Sequence, residues 1–85
     1  MANVTIYSRS WCSYCRAAKD LLTRKGAAYD EIDIEAKPAE RAAMIERAGG
    51  RTSVPQIFVG QTHVGGFDDL SALDRRGGLD PLLAA

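Results

Sequence analysis

The segment Ser10-Trp11-Cys12-Ser13-Tyr14-Cys15 carries both cysteines of the 85-residue chain, three positions apart. A run typical of a β-strand, Val4-Thr5-Ile6-Tyr7, precedes it, and apolar residues at helical spacing follow it over residues 13–25. A C-x-x-C at such a junction places its first sulfur at a helix N-terminus, where unpaired N–H groups and the helix dipole favour negative charge. We therefore expect a thiolate at Cys12 and a partly shielded Cys15 one turn further on. The pattern is typical of a thiol–disulfide redox site.

A second strand and a second helix are predicted next. Gly26 ends the first helix, and residues 32–34 alternate in the manner of a strand, with Ile32 and Ile34 on one face. Pro38 suits the first turn of the following helix, and Gly49-Gly50 ends it. The predicted inner face of this helix is made of small and apolar residues, namely Ala39, Ala42, Met44, Ile45 and Gly49.

A hairpin and a third helix are predicted for the remainder. Gln56–Val59 is the continuous apolar strand expected near the centre of a sheet. A return strand starts at His63-Val64 and is broken by Gly65-Gly66, after which Asp68 or Asp69 is expected to cap a helix. The order β-α-β-α-β-β-α, with a last helical turn at the end, indicates an α/β fold. Its first strand pair should be parallel and its last pair antiparallel.

Composition restricts the class of protein. A hydrophobic content of 46% and a charged content of 26% are ordinary for a soluble chain, and residues 1–85 are expected to form a single domain. Eleven basic and eleven acidic residues balance, so we expect no nucleic-acid partner and no anionic membrane partner. We see neither a signal peptide nor an apolar run long enough to span a membrane. The sequence therefore predicts a cytoplasmic location, where a C-x-x-C is catalytic or metal-binding more often than structural.

Three separated motifs together resemble one family. They are the C-x-Y-C of residues 12–15, Ser53-Val54-Pro55 before the apolar strand, and the turn Gly65-Gly66-Phe67-Asp68-Asp69. In this order they resemble the glutaredoxins of the dithiol class, and Gly77-Gly78-Leu79-Asp80-Pro81-Leu82-Leu83 is similar to the end of the short bacterial members. The resemblance covers essentially the whole chain. It implies a thioredoxin-like fold, with a four-stranded mixed β-sheet flanked by three or more helices.

The resemblance also implies glutathione as reductant and co-substrate. Arg9 would bind its glycyl carboxylate, and Tyr14 would line the groove that holds it. Val54 would pair with the cysteinyl unit through its main chain, next to a cis peptide bond at Pro55.

The γ-glutamyl end of glutathione is assigned to the glycine-rich turn. Gly66, Phe67 and Asp68 would hold it. N–H groups at a helix N-terminus suit its carboxylate, and the Asp68 side chain suits its ammonium group.

The implied activity is reduction of protein–glutathione mixed disulfides and protein disulfides. Cys12 would be the nucleophile, and Cys15 would resolve the intermediates formed with protein disulfides. Glutathionylated and disulfide-containing proteins are therefore the expected partners. The chain is expected to be a monomer that holds no metal.

An iron–sulfur protein is the first alternative. The family most often has proline where this chain has Ser13, and some members with C-S-Y-C hold a 2Fe-2S cluster between two subunits. Such a cluster uses the first cysteine of each subunit and two glutathiones. Cys12 would then ligate metal in a cluster-binding dimer or cluster carrier.

Three further alternatives are weaker. A thioredoxin-like reductant served by a flavoenzyme is disfavoured by the short chain, by Tyr14 and by the glycine-rich turn. A structural disulfide would close too short a loop to gain much entropy. A zinc site needs four ligands, and beyond the cysteines His63 is the obvious candidate.

We expect His63 to be an exposed strand residue without a partner, and Trp11 to be either a contact at the rim of the site or a half-buried ring.

Overall fold

A four-stranded mixed sheet forms the centre of the protein. The structure is a computed structural model and describes residues 2–85. The strands are β1 (Val4–Ser8), β2 (Asp30–Asp33), β3 (Gln56–Val59) and β4 (Thr62–Gly65), and they lie in the order β2-β1-β3-β4. β1 pairs in parallel with β2 and antiparallel with β3, which also pairs antiparallel with β4. The predicted mixed sheet, its parallel first pair and its antiparallel hairpin are confirmed.

Four helices flank this sheet. They are α1 (Ser13–Arg24), α2 (Pro38–Arg47), α3 (Phe67–Arg75) and α4 (Leu79–Ala84). Lys25, which follows α1, links three of them, because its Nζ lies 2.7 Å from Asp74 of α3 and 3.1 Å from Asp80 of α4. Within residues 2–85, no helix combines the length and apolar character that a membrane crossing demands.

Apolar side chains cover both faces of the sheet. All four residues of β3 are buried, because this strand has neighbours on both edges and helices over both faces. One face packs against α1, α3 and α4 through the buried cluster of Val4, Ile6, Ala18, Leu21, Leu22, Ala27, Ile57, Val59, Leu70, Leu79 and Leu83. The other face packs against α2 through Tyr7, Ile34, Met44, Ala48 and Phe58. The apolar face predicted for α1 is therefore confirmed.

The inner face of α2 is the predicted one only in part, because Met44 and Ile45 belong to it but the predicted small residues do not. Met44 is fully buried, and Ala48 joins the same cluster just beyond the helix. Ala39, Ala42 and Gly49, by contrast, are exposed. Burying the Met44 side chain removes more apolar area from water than burying any one of these small residues, which favours the rotation that places Met44 against the sheet.

Two element boundaries also differ from the prediction. β2 ends one residue before Ile34, which lies beyond the strand but is held there by its N–H bond to Ser8 O at 2.9 Å. The N-cap of α3 is Gly66, and neither Asp68 nor Asp69 holds that position. Asp69 instead lies in the first turn, where its carboxylate accepts the Gly66 N–H at 2.9 Å. An acidic side chain at this position stabilises the helix start from inside the helix.

Candidate active site

Cys12 is the N-cap residue of α1. Its backbone is extended, with φ −108° and ψ 107°, and its Sγ accepts the backbone N–H of Cys15 at 3.2 Å. The sulfur thereby satisfies one of the first-turn N–H groups that a helix leaves without an internal partner. The sulfur also lies at the positive end of the α1 dipole. Cys12 therefore lies at the helix N-terminus, as expected.

Cys15 differs from Cys12 in its surroundings. It is 1% exposed, whereas Cys12 is partly exposed, and both thiols are free. Burial, followed by its hydrogen bond with Cys12, raises the pKa of the Cys15 thiol to about 12. One sulfur of the pair can thus reach a substrate, while the other is a shielded thiol at neutral pH.

A groove of about 250 Å³ opens next to Cys12. It is lined by Tyr14, Arg51, Ser53, Val54, Pro55, Gly66, Phe67, Asp68 and Asp69. Val54 connects the groove to the sulfur, because its carbonyl oxygen lies 3.9 Å from Cys12 Sγ. The Val54–Pro55 peptide bond is cis, as expected. Six of the seven residues that the resemblance assigned to glutathione are therefore brought together here, and Arg9 is the exception.

One wall of the groove is aromatic. Tyr14 of α1 stacks on Phe67 of α3, with ring centroids 6.2 Å apart and planes inclined by 29°. Tyr14 remains 62% exposed, so its ring offers an open face beside Cys12. The stack spans the gap between the helix that carries the sulfur and the helix that ends the groove.

The far end of the groove is the N-terminus of α3. The Asp69 carboxylate accepts the Gly66 N–H at 2.9 Å and pairs with Arg51 Nη1 at 3.0 Å. These contacts, the Gly66 bond first, lower the pKa of Asp69. Within residues 2–85, the N–H groups of Phe67 and Asp68 donate to no backbone carbonyl or side chain. This end therefore presents unused N–H donors and the exposed Asp68 carboxylate.

Arg51 and the groove-lining role of Asp69 were missed in the sequence. Arg51 belongs to the loop after α2, and the contact joins residues 18 positions apart. The doubled acid at Asp68 and Asp69, with one member in the first helical turn, was the available signal for a carboxylate at the groove. Nothing local indicates that Arg51 reaches it.

Arg9 lies beside Cys12 but in a different depression. That depression has a volume of about 590 Å³ and is also lined by Trp11, Cys12 and Arg16. Trp11 is fully exposed, at 102%, and has a left-handed backbone with φ 62°. The expectation of a half-buried ring was wrong, because this conformation turns the indole away from the sheet into solvent.

His63 also differs from its prediction. It is only partly exposed, its ring stacks on Phe58 with centroids 4.8 Å apart, and its Nε2 lies 2.7 Å from Gln56 Oε1. Burial and the nearby Arg51 charge lower the pKa of His63. The expectation of an exposed residue without a partner was wrong, because the partner Gln56 lies on the neighbouring strand.

Solved structures with the same fold give the class of protein. A buckwheat glutaredoxin–glutathione complex superimposes with a TM-score of 0.87 at 32% identity, over 95% of this chain and 76% of that one. A structure described as "Metal Binding of Glutaredoxins" gives a TM-score of 0.74 at 57% identity, over 98% and 89% of the two chains. The fold is therefore thioredoxin-like, and the protein is a thiol–disulfide oxidoreductase.

Sequence relatives give the family. The glutaredoxin family model matches residues 4–64. Glutaredoxin 3 of Escherichia coli K12 is 57% identical over 83 residues, which cover 98% of this chain and 99% of that protein. A glutaredoxin of Pseudomonas aeruginosa is 54% identical over the full length of both chains. The chain belongs to the glutaredoxin family.

Proposed function

We propose that the protein is a glutathione-dependent oxidoreductase that reduces protein–glutathione mixed disulfides and protein disulfides. The observation that carries the proposal is the 3.9 Å distance from Cys12 Sγ to the Val54 carbonyl oxygen, at the edge of the groove. A peptide-like ligand paired with the Val54 main chain would hold its own sulfur near Cys12. The buckwheat relative, solved as a glutathione complex, supports glutathione as that ligand.

The two ends of glutathione match the ends of the site. The γ-glutamyl carboxylate would accept the unused N–H groups of Phe67 and Asp68, and the Asp68 carboxylate would pair with the ammonium group. We propose Arg9, in the separate depression that Cys12 also lines, for the glycyl carboxylate. Tyr14 would cover the middle of the ligand.

The reaction with a glutathionylated protein takes two exchanges. The Cys12 thiolate attacks the glutathione sulfur, a disulfide forms between them, and the protein leaves as a thiolate that takes a proton from solvent. A second glutathione thiolate then attacks the glutathione sulfur on Cys12. Glutathione disulfide forms and Cys12 leaves as a thiolate. In sum, one protein–glutathione mixed disulfide and one glutathione become a protein thiol and glutathione disulfide.

Protein disulfides would need Cys15. Cys12 attacks first and forms a mixed disulfide with the protein. Cys15 then loses its proton, attacks the Cys12 sulfur and releases the protein thiol, and two glutathiones reduce the Cys12–Cys15 disulfide. The raised pKa of Cys15 makes its thiolate scarce at neutral pH, which favours the route that uses Cys12 and glutathione.

The direct test is the mass of the species formed with oxidised glutathione. Cys15→Ser is expected to gain one glutathione and Cys12→Ser none, whereas wild type is expected to pass through the same adduct and lose two hydrogens as the Cys12–Cys15 disulfide forms. Ser13→Ala is the matched control, since it changes a neighbouring side chain and leaves both sulfurs. Absence of an adduct on Cys15→Ser would refute the proposal. Because the cycle needs reduced thiols, we propose the cytoplasm as its place of action.

A glutathione-ligated 2Fe-2S cluster is the second candidate. It is favoured by the likeness to the structure described as "Metal Binding of Glutaredoxins" and by the partial exposure of Cys12. Across residues 2–85, no three His, Cys, Asp or Glu side chains gather as metal ligands. In the ligand set that the family resemblance implies, one chain would supply Cys12, and a dimer with two glutathiones would complete the set. Anaerobic reconstitution with glutathione tests this: a coloured dimer supports the candidate, and a colourless monomer refutes it.

A further inference from the structure

Gln56 is a fully buried amide at the start of β3, at 0% exposure. Burying an amide is costly unless its polar atoms find partners. Its Nε2 donates to the Ser53 carbonyl at 3.0 Å and lies 3.3 Å from Ser53 Oγ, and its Oε1 lies 2.7 Å from His63 Nε2. A carbonyl can only accept, so the amide nitrogen must face Ser53 and the amide oxygen must face His63. His63 Nε2 therefore carries the hydrogen.

His63 fixes one end of this network to the sheet. It lies opposite Phe58 in the β3–β4 pairing, and the two rings stack with planes inclined by 23°. The Arg47 guanidinium lies 4.1 Å from the centre of the Phe58 ring and adds a further contact to the same stack. The donor that Gln56 meets is thus part of a packed aromatic group, and its position is restricted.

The other end of the network holds a segment with few restraints of its own. Among the described residues 2–85, positions 52–55 make no backbone–backbone hydrogen bond. The Gln56 side chain therefore anchors the Ser53 carbonyl to the sheet. The next residue, Val54, directs its carbonyl oxygen towards Cys12 Sγ and lines the groove. Gln56 thus supports, from the sheet side, the main chain that faces the groove.

We propose that Gln56 and His63 are positioning residues, which hold the Ser53–Val54 main chain in the orientation that receives glutathione. The role rests on the proposed function, because it concerns the same groove. Neither side chain contacts a sulfur, and both act through Val54. Their loss should therefore slow reactions with substrates that occupy the groove, while reactions that need Cys12 alone continue.

The test compares two rate constants on each variant. One is the second-order rate constant of reduced protein with a glutathionylated peptide, measured in a single turnover. The other is the rate constant of Cys12 alkylation by iodoacetamide, which does not use the groove. Gln56→Met keeps the side-chain length and removes both hydrogen-bonding ends. We expect about a tenfold fall in the first rate constant, the size of one hydrogen bond, and less than about a twofold change in the second.

Three further variants separate positioning from folding. Gln61→Met makes the same substitution at an exposed turn position and should leave both rate constants unchanged. His63→Phe keeps a ring to stack on Phe58 and removes only the hydrogen-bond donor. It should therefore lower the ratio of the peptide rate constant to the iodoacetamide rate constant several-fold. Ser53→Ala removes only the 3.3 Å contact and should lower that ratio by less than about threefold. If Gln56→Met does not fold, the ratio measured on His63→Phe alone tests the positioning role.

The outcomes distinguish this role from the function on which it rests. If wild type reacts equally fast with a glutathionylated peptide and with a peptide disulfide that lacks glutathione, the groove does not recognise glutathione, and the glutathione dependence in the proposed function fails. If wild type prefers the glutathionylated peptide, but Gln56→Met and His63→Phe keep the wild-type ratio, only the positioning role is overturned. A parallel fall in both rate constants also overturns it, because that is the mark of a general structural effect.

Discussion

Cys15 donates its backbone N–H to the sulfur of Cys12 while its own sulfur stays buried behind it. The donor belongs to the main chain, so a change of side chain at position 15 leaves it in place. We therefore expect Cys15→Ser to keep the rate of reduction of a glutathionylated peptide within about threefold of wild type. Cys12→Ser, which removes the nucleophile, should reduce it to the uncatalysed rate. Equal loss in the two variants would contradict the two-exchange route.

The buried thiol of Cys15 also predicts how stability depends on pH. Its pKa rises from 9.0 in the unfolded chain to about 12 in the folded protein. The folded state therefore holds its proton where the unfolded state has lost it, and the stability contributed by this group is present below pH 9 and lost as the pH rises towards 12. Urea unfolding at pH 8 to 11 should show a steeper decline for wild type than for Cys15→Ser. Parallel curves would show that Cys15 is not buried as a thiol.

The two acids at the start of α3 should have separable effects. Asp69 accepts the N–H of the N-cap residue Gly66 from within the first turn and pairs with Arg51, whereas Asp68 is exposed at the groove. Asp69→Ala should lower the free energy of unfolding by about 1 kcal/mol, mostly through the lost cap, because the half-exposed ion pair contributes little. Asp68→Ala should leave stability within about 0.5 kcal/mol.

Reaction with glutathione substrates should separate these variants further. Asp68→Ala is expected to slow attack on a glutathionylated peptide about tenfold, the size of one charge-assisted contact. Chemical denaturation measures the stability of both variants, and single-turnover kinetics measures their rates with the glutathionylated peptide. A larger stability loss at position 68 than at position 69 would contradict the assignment.

Gly65 and Gly66 offer a second matched comparison. Gly65 has φ +117°, and a Cβ there would overlap the Asp69 carboxylate. A Cβ at Gly66 would meet Arg51 Nη2 and the Pro55 carbonyl oxygen at 3.5 Å, an ordinary contact. Gly65→Ala should therefore destabilise the protein by about 2 kcal/mol or more. Gly66→Ala should cost less than about 1 kcal/mol. Thermal or urea unfolding measures both, and equal losses would disprove the distinction.

Most of the fold is predictable because its signals are local. The C-x-x-C at a strand-to-helix junction, the apolar run of Gln56–Val59 and the glycines that end helices each act within a few residues. The inner face of α2 was predicted only in part, because several alanines share its sequence with Met44 and Ile45. Which side faces the sheet depends on the space beside Tyr7 and Phe58, and neither residue is near α2 in the chain.

The site was less predictable for a related reason. Cys12, Val54 and Phe67 belong to recognisable motifs, and the fold brings all three to the groove. Arg51 and His63, by contrast, have roles fixed by contacts between separate elements, which the hydrophobic pattern does not encode. A half-buried histidine and an exposed one look the same in a sequence, because the difference lies in the partner that the neighbouring strand supplies.

Trp11 gives the protein an intrinsic optical reporter. It is the one tryptophan of the chain, its indole lies wholly in solvent, and it immediately precedes Cys12. A charged tripeptide bonded to that sulfur would change the solvent around the ring, so fluorescence emission should change with each exchange of the sulfur's partner. Stopped-flow fluorescence could then follow the successive steps of turnover in unlabelled protein.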